Sequence, residues 1–297
     1  MHGTTDVERY ASFADHSDSG NPAGVVLDAQ HLTAPEMQRI AADVGYSETV
    51  FVTSPLTADA AITVRYFAPE GEVAFCGHAT IALAAALGRE LGFGDFVIET
   101  AVGPVTVSAE RRDGHVVGSF LSPPISSSPI DGACLDVLLG LLGWSRSDLH
   151  PDYAPAIGFS GNQHPILVAR DLTRLAELAY DFDGLRRLSR TEDWVTMQLI
   201  TPTGRGEWRS RNPFPWGGVV EDPATGSAAA AFAGYLLAGG HAESGERFTI
   251  TQGVEMGRPS RIEVELLDDA ARIAGPVTPI ERGAETDHES GASSAAG

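Results

Sequence analysis

The 297-residue chain contains no lysine, so all 20 of its basic residues are arginine. That absence excludes pyridoxal phosphate chemistry, which needs a lysine Schiff base, and a Walker A loop, which needs a lysine on the phosphates. Cysteine is nearly absent as well. Cys76 and Cys134 are the only two, too few for a disulfide framework or a four-cysteine zinc site, and they fit a reducing compartment. The nine histidines are scattered, with no His-x-x-x-His pair, so no metal is expected. Gly158-Phe159-Ser160-Gly161 fails the Gly-x-Ser-x-Gly hydrolase elbow, and no Gly-x-Gly-x-x-Gly follows a strand. Positive charge is scarce: 40 acidic residues against 20 basic give a net charge of −20, which argues against nucleic acid or anionic membrane surfaces as partners. No apolar run approaches the roughly 20 residues that span a bilayer, and the basic and apolar stretches of a signal peptide are missing. A cytoplasmic protein whose chemistry comes from side chains alone, without cofactor, is the expectation.

What the sequence does contain is a repeat. Phe75 to Leu87 and Ala224 to Leu237 are variants of one another: Cys76-Gly77-His78-Ala79 matches Thr225-Gly226-Ser227-Ala228, and an Ala/Leu-rich run follows each. Each copy predicts a turn that opens a buried helix. A helix N-terminus offers free N–H groups and the positive end of the helix dipole, so two facing ends would bind an anion such as a carboxylate. A single Gly-x-Ala start also fits plain helix packing. Two copies half a chain apart point instead to duplicated domains set symmetrically about a cleft.

In chain order, Glu8–Phe13, Ala23–Leu27, Thr49–Val52 and Ala60–Phe67 read as strands, with a helix over Ala34–Val44 capped by Thr33 and stopped by Gly45. Val97–Thr100, Val105–Ala109 and Val116–Leu121 complete a first domain, residues 1–121. The stretch 122–129, with three prolines and four serines, reads as a linker. A second domain, 130–267, repeats the order: helices over Leu135–Leu142 and Leu172–Leu178, and strands over Pro165–Ala169, Trp194–Ile200, Phe248–Thr251 and Arg261–Leu266. A last strand within 271–280 is expected to return to the first domain, and 281–297 has the composition of a disordered tail. Strand-rich halves that each enclose one apolar helix predict an α+β fold in which each curved, mostly antiparallel sheet wraps a central helix, with the site in the cleft between them.

Gly20-Asn21-Pro22-Ala23-Gly24, Ser47-Glu48-Thr49, Cys76-Gly77-His78-Ala79-Thr80 and Glu221-Asp222-Pro223-Ala224-Thr225-Gly226-Ser227-Ala228 occur in this order in the phenazine biosynthesis PhzF-like proteins, which the chain resembles to about Pro279. Ser210-Arg211-Asn212-Pro213-Phe214 and Gln252-Gly253 also look like that family. The resemblance implies two pseudo-symmetric domains of the diaminopimelate epimerase type, a homodimer, and a cofactor-independent isomerase that moves a proton on a small carboxylate, as in dihydrohydroxyanthranilate isomerisation. It implies Glu48 as proton carrier, with His78 and Asp222 assisting, and a substrate-binding set of Asn21, Gly77, His78, Ala79, Gly226 and Ser227.

The residues themselves leave alternatives. Glu48 could be an exposed turn glutamate, and Asp222 before Pro223 looks like a helix N-cap. An epimerase of this fold uses two facing thiols. Here Cys76 has Thr225 as its repeat partner, and a hydroxyl cannot replace a thiolate base near neutral pH. Two further readings stand beside the isomerase: an amino-acid racemase pairing Cys76 with Glu48 or Asp222, and a non-catalytic carboxylate-binding protein. Gly161-Asn162-Gln163-His164 and Trp216-Gly217-Gly218 are the candidates for specificity.

Overall fold

The computed structural model describes residues 5–57 and 60–281, so all but the first residue of the tail expected at 281–297 lies outside the described residues. The first half runs β1 (Glu8–Ser12), β2 (Asn21–Val26), α1 (Ala34–Val44), β3 (Glu48–Val52), β4 (Ile62–Ala68), β5 (Gly71–Val73), α2 (Gly77–Leu91), β6 (Gly94–Thr100), β7 (Gly103–Arg112) and β8 (His115–Leu121). Next come β9 (Ile125–Pro129), α3 (Gly132–Leu141), β10 (Ala156–Ser160), β11 (Gln163–Val168), α4 (Leu172–Ala176), α5 (Phe182–Glu192), β12 (Gln198–Gly204) and β13 (Glu207–Arg211). The chain closes with β14 (Pro213–Phe214), β15 (Val219–Glu221), α6 (Gly226–Ala238), β16 (Arg247–Gln252), β17 (Ser260–Leu266) and β18 (Ala271–Pro279).

The repeat seen in the sequence is a repeat of topology. In the first half β2 and β3 pair in parallel across α1, and β4 and β6 pair in parallel across α2. In the second, β11 and β12 pair in parallel across α4 and α5, and β13 and β16 across α6. All other strand pairs are antiparallel. One continuous sheet results, in the order β1-β2-β3-β4-β6-β7-β8-β18-β17-β16-β13-β12-β11-β10-β9. β18 pairs with β17 and β8, and its last residues pair with β1, so eight strands close around α2. The second run of strands curls around α6.

Both central helices are buried on every side, from His78 to Gly88 in α2 and nearly throughout α6. A helix with no solvent face needs no polar stripe, which is why both read as unbroken Ala/Leu runs. Small side chains also let the sheet close in. A Cβ at residue 118 would lie 2.5 Å from the Ile81 carbonyl oxygen, and one at residue 158 would lie 2.9 Å from that of Ala231. Glycine on a facing strand therefore sets the helix-to-sheet distance in each half.

The remaining helices cover the outer faces. α1 opens where the Glu36 carboxylate accepts from both Thr33 N and Thr33 Oγ1, and it stops at Gly45 in the left-handed region at φ 73°. Its Met37, Ile40 and Ala41 pack on Val26, Phe51 and Phe67. α3 and α5 bury Leu135, Leu138, Leu139 and Leu185 against Leu167, Met197 and Leu199.

The stretch 122–129, expected to be a linker, instead carries β9, which pairs with β10 from Ile125 to Pro129. Its prolines spare the ladder: Pro123 and Pro124 precede the strand, and Pro129 sits at its last residue on the sheet edge, where a missing N–H costs nothing. Thus β8 leads into a strand on the second half, as β18 leads back onto β1. Among the described residues no helix is long and apolar enough to cross a membrane.

Candidate active site

The two central helices meet end to end. Cys76 and Thr225 are their N-caps, both in extended backbone, and Gly77 and Gly226 are their first residues. A Cβ on Gly77 would lie 3.8 Å from the Gly226 Cα, and one on Gly226 would lie 3.2 Å from Phe120 Cζ of β8. Glycine at both positions allows this approach, and the two sets of first-turn N–H groups converge on one region.

Asp222 does not cap the helix, as its place before Pro223 had implied, because α6 begins at Gly226 with Thr225 as N-cap. Its carboxylate instead joins the two halves. Asn21 Nδ2, from β2, donates to Oδ1 at 2.8 Å, and Thr225 Oγ1 donates to Oδ2 at 2.6 Å. Asn21 Nδ2 also reaches the Ala224 carbonyl at 3.3 Å. Burial pushes the Asp222 carboxyl up from its ordinary 3.8 to about 6; His78 and the Thr225 hydrogen bond oppose this, the negative Glu48 adds to it, and the Asn21 hydrogen bond opposes it.

Gln252 of β16 holds the segment carrying Asp222. Its Nε2 donates to the Asp222 carbonyl at 2.7 Å and to Thr225 Oγ1 at 3.0 Å, while its Oε1 accepts from Thr225 N at 3.3 Å. Gly253, at φ 76°, lets the chain pass the Pro223 carbonyl, where a Cβ would lie at 2.7 Å. A Gln-Gly pair 30 residues beyond Asp222 gives no local hint of this work.

Glu48 opens β3, and its Oε2 lies 3.4 Å from His78 Nε2. The Glu48 side chain is 18% exposed and that of His78 only 6%, so the carboxylate is largely buried and is not an exposed turn residue. Ser47 Oγ stands 3.2 Å from the same Nε2, and Cys76 Sγ lies 3.3 Å from His78 Nδ1. The His78 carbonyl accepts from Ser12 Oγ at 2.7 Å, which fixes the first turn of α2. Donor atoms of Glu48, Cys76 and His78 all lie within 4.8 Å of one another. The buried Cys76 thiol is pushed well above its ordinary value by burial and then by the Glu48 charge, against the pull of the Ala79 N–H. It is a neutral thiol near pH 7, and Thr225 opposite is committed to Asp222. Two-thiol racemisation therefore has no base on either side.

A cavity of about 360 Å³ opens at Ser227. Phe75, Phe120, Phe214 and Trp216 give it aromatic walls, Asn162 and Ser227 supply polar groups, and Ser160 also lines it. Of the expected specificity residues, Gly161, Asn162, Trp216 and Gly217 line it, whereas Gln163, His164 and Gly218 do not. His164 is buried behind it with Nδ1 3.0 Å from Thr196 Oγ1, and burial pushes its ring down to about 4, so it is neutral. Asn21, Glu48, His78 and Asp222 form their own cluster, and of the expected site residues only Ser227 borders the cavity. The sequence reading gave no site role to Ser160, whose hydroxyl is buried without a partner among the described residues, nor to Ser47, Thr225 and Gln252, although these three stand in the motifs of the family resemblance. Trp216 sits on the β14–β15 hairpin, whose base is the buried Arg211–Glu221 ion pair, with Arg211 Nε donating to Glu221 Oε2 at 3.0 Å.

The chain is similar over 249 residues to trans-2,3-dihydro-3-hydroxyanthranilate isomerase of Pseudomonas chlororaphis, with 37% identity, 84% of this chain and 86% of that protein covered. Among solved structures, a phenazine biosynthesis protein of the PhzF family from Bacillus anthracis matches with TM-score 0.82 and 26% identity, covering 93% of this chain and 96% of that one. A hydroxyproline epimerase from Agrobacterium vitis, at 14% identity and TM-score 0.62 over 92% of this chain and 88% of that one, shares the fold. The model of the phenazine biosynthesis-like proteins, PhzC-PhzF, matches residues 10–283, a span holding both helix ends and every residue of the polar cluster, and the chain accordingly belongs to that family, as one of its isomerases.

Proposed function

We propose that the protein shifts a proton between two carbons of a small unsaturated ring carboxylate, of the trans-2,3-dihydro-3-hydroxyanthranilate kind, without a cofactor. The observation that supports this reading is one largely buried carboxylate, Glu48, 3.4 Å from His78 Nε2 beside two converging helix N-termini. The first-turn N–H groups of Gly77 and His78 and of Gly226 and Ser227 hold the substrate carboxylate. Glu48 removes the proton from one carbon, and the electron pair left behind is delocalised toward that carboxylate, where the helix ends stabilise it. Glu48, now protonated, returns the proton to a second carbon on the same face, so the substrate gains and loses nothing overall. His78 orients Glu48, while Asp222 with its raised pKa, tied to Asn21 and Thr225, binds a polar substituent. The aromatic walls of the adjoining cavity suit an unsaturated ring.

The test is proton NMR of trans-2,3-dihydro-3-hydroxyanthranilate with the purified protein in deuterated water, beside Glu48→Gln. Wild type should turn over, with deuterium entering product through exchange of the protonated Glu48 with solvent before the proton is returned, and Glu48→Gln should lose at least about 10³-fold in kcat with its fold intact. A Glu48→Gln protein that retains wild-type turnover ends the assignment of Glu48.

A further inference from the structure

Cys76 takes no part in the proton shift above, yet its sulfur lies beside the two groups that do. Three ligand groups of different chemistry converge here: a Glu48 carboxylate oxygen, a His78 ring nitrogen and Cys76 Sγ, all within 4.8 Å of one another. A tetrahedral zinc-type site, with metal–nitrogen and metal–oxygen bonds of about 2.0–2.1 Å and a metal–sulfur bond of about 2.3 Å, sets N···O near 3.4 Å and N···S near 3.6 Å. The structure has Nε2···Oε2 at 3.4 Å and Nε2···Sγ at 3.9 Å. The cluster is thus within a few tenths of an ångström of two edges of such a tetrahedron. The third edge, between Glu48 and Cys76, is within 4.8 Å, and Cys76 Sγ, now 3.3 Å from Nδ1 on the other side of the ring, must turn toward Nε2 for the three ligands to meet on one ion.

We propose that Glu48, Cys76 and His78 form a binding site for one soft divalent transition-metal ion of the zinc class, and that the bound ion reversibly blocks the isomerase. Cys76 binds as thiolate, Glu48 as carboxylate and His78 as neutral imidazole through Nε2. The thiol proton leaves to solvent as the sulfur–metal bond forms, so one proton is released per ion, and the resulting complex of one dication and two anionic ligands is neutral. Neutrality suits a site where His78 and Cys76 are 6% and 9% exposed, and a chain of net charge −20 attracts cations at long range. The thiolate selects zinc-class ions over magnesium and calcium. Ser47, 3.2 Å from Nε2, gives up that contact when the ion arrives. Loss of activity on binding rests on the function proposed above, since the ion occupies the carboxylate that moves the proton; binding itself does not.

Anaerobic titration of the full chain with Co²⁺ tests this through the thiolate-to-cobalt charge-transfer absorption. Wild type should bind one Co²⁺ per chain with that band, Zn²⁺ should displace it, and Cys134→Ser should keep it. Cys76→Ser should lose the band, and Glu48→Gln should weaken cobalt binding at least about 10-fold. No band in wild type, a band lost in Cys134→Ser, or unchanged affinity in Glu48→Gln each overturns the site, and the last two arms decide it even if Cys76→Ser fails to fold. Activity unaffected by stoichiometric bound Zn²⁺ overturns the block. A cobalt site in a protein inactive toward the ring carboxylate leaves the metal site standing and sinks the reaction.

Discussion

Asp222 makes a quantitative prediction about stability. Its pKa is about 6 in the folded protein against an ordinary 3.8, so the folded state holds a proton that the unfolded chain releases as pH rises through this window. Stability contributed by the protonated form is complete below about pH 4 and is lost as pH rises through about 6. At about 1.36 kcal/mol for each tenfold change in proton affinity, the loss amounts to about 3 kcal/mol, an upper bound because the residue as a whole is only half-buried. Asp222→Asn removes the titration. It keeps an acceptor for Asn21 and loses the charged partner of Thr225, a change of about 1–3 kcal/mol that is nearly constant with pH once ionisation is complete. Urea unfolding of both proteins at about pH 4 and about pH 8 separates the two effects. Titration of groups away from Asp222 is common to both proteins and cancels. Wild type should lose about 2–3 kcal/mol more than Asp222→Asn between the two pH values. Parallel stability profiles would refute burial as the cause of the raised pKa and would show Asp222 ionised and well solvated in the folded state.

Three other outcomes follow from packing. Glu221→Gln breaks a buried ion pair and leaves Arg211 with carbonyl partners such as Ala176 at 2.9 Å, so the protein should lose about 3–5 kcal/mol; a loss below 1 kcal/mol would mean that the Arg211–Glu221 pair is well hydrated. Gly118→Ala sets a methyl 2.5 Å from a backbone oxygen of α2 and should cost about 3 kcal/mol, whereas Gly71→Ala, which meets nothing within 4 Å, should change the urea midpoint little. Ser160→Ala removes a buried hydroxyl that has no partner among the described residues, so stability should be unchanged or rise by up to about 1 kcal/mol. A loss greater than that would mean that the hydroxyl is bonded in the free protein.

The central helices were legible because a helix buried on all sides is written as an apolar run, and because glycine stands where the two ends meet. α1 was legible from Thr33 to Gly45 for the opposite reason: its caps are local chemistry. Asp222 was harder. Its neighbours in sequence spell a helix cap, and its working partner Asn21 lies 201 positions away, where no local pattern can point. β9 was misread because a Ser- and Pro-rich strand draws its stability from β10 and from α6, where a Cβ on Gly234 would lie 3.0 Å from Ile125 Cβ. α5 went unread because its buried face is only Gly184, Leu185 and Ser189. Gln252 and Ser160 are similar cases. Each is an ordinary polar residue in a strand until the fold sets it beside Thr225 or the cavity.

The pairing of β18 with β1 sets Tyr10 opposite Pro279 and Ser12 opposite Val277. On the ribosome the first half is therefore complete in sequence at Leu121, yet the strand that seals its barrel arrives about 150 residues later. At about 5–20 residues per second, the sheet around α2 waits roughly 8–30 s with β1 and β8 unsealed. For that interval β1 is an open edge able to pair with other chains. The acidic character of the protein then has a use during synthesis, because a nascent chain that repels its neighbours is protected until its own last strand closes the ring.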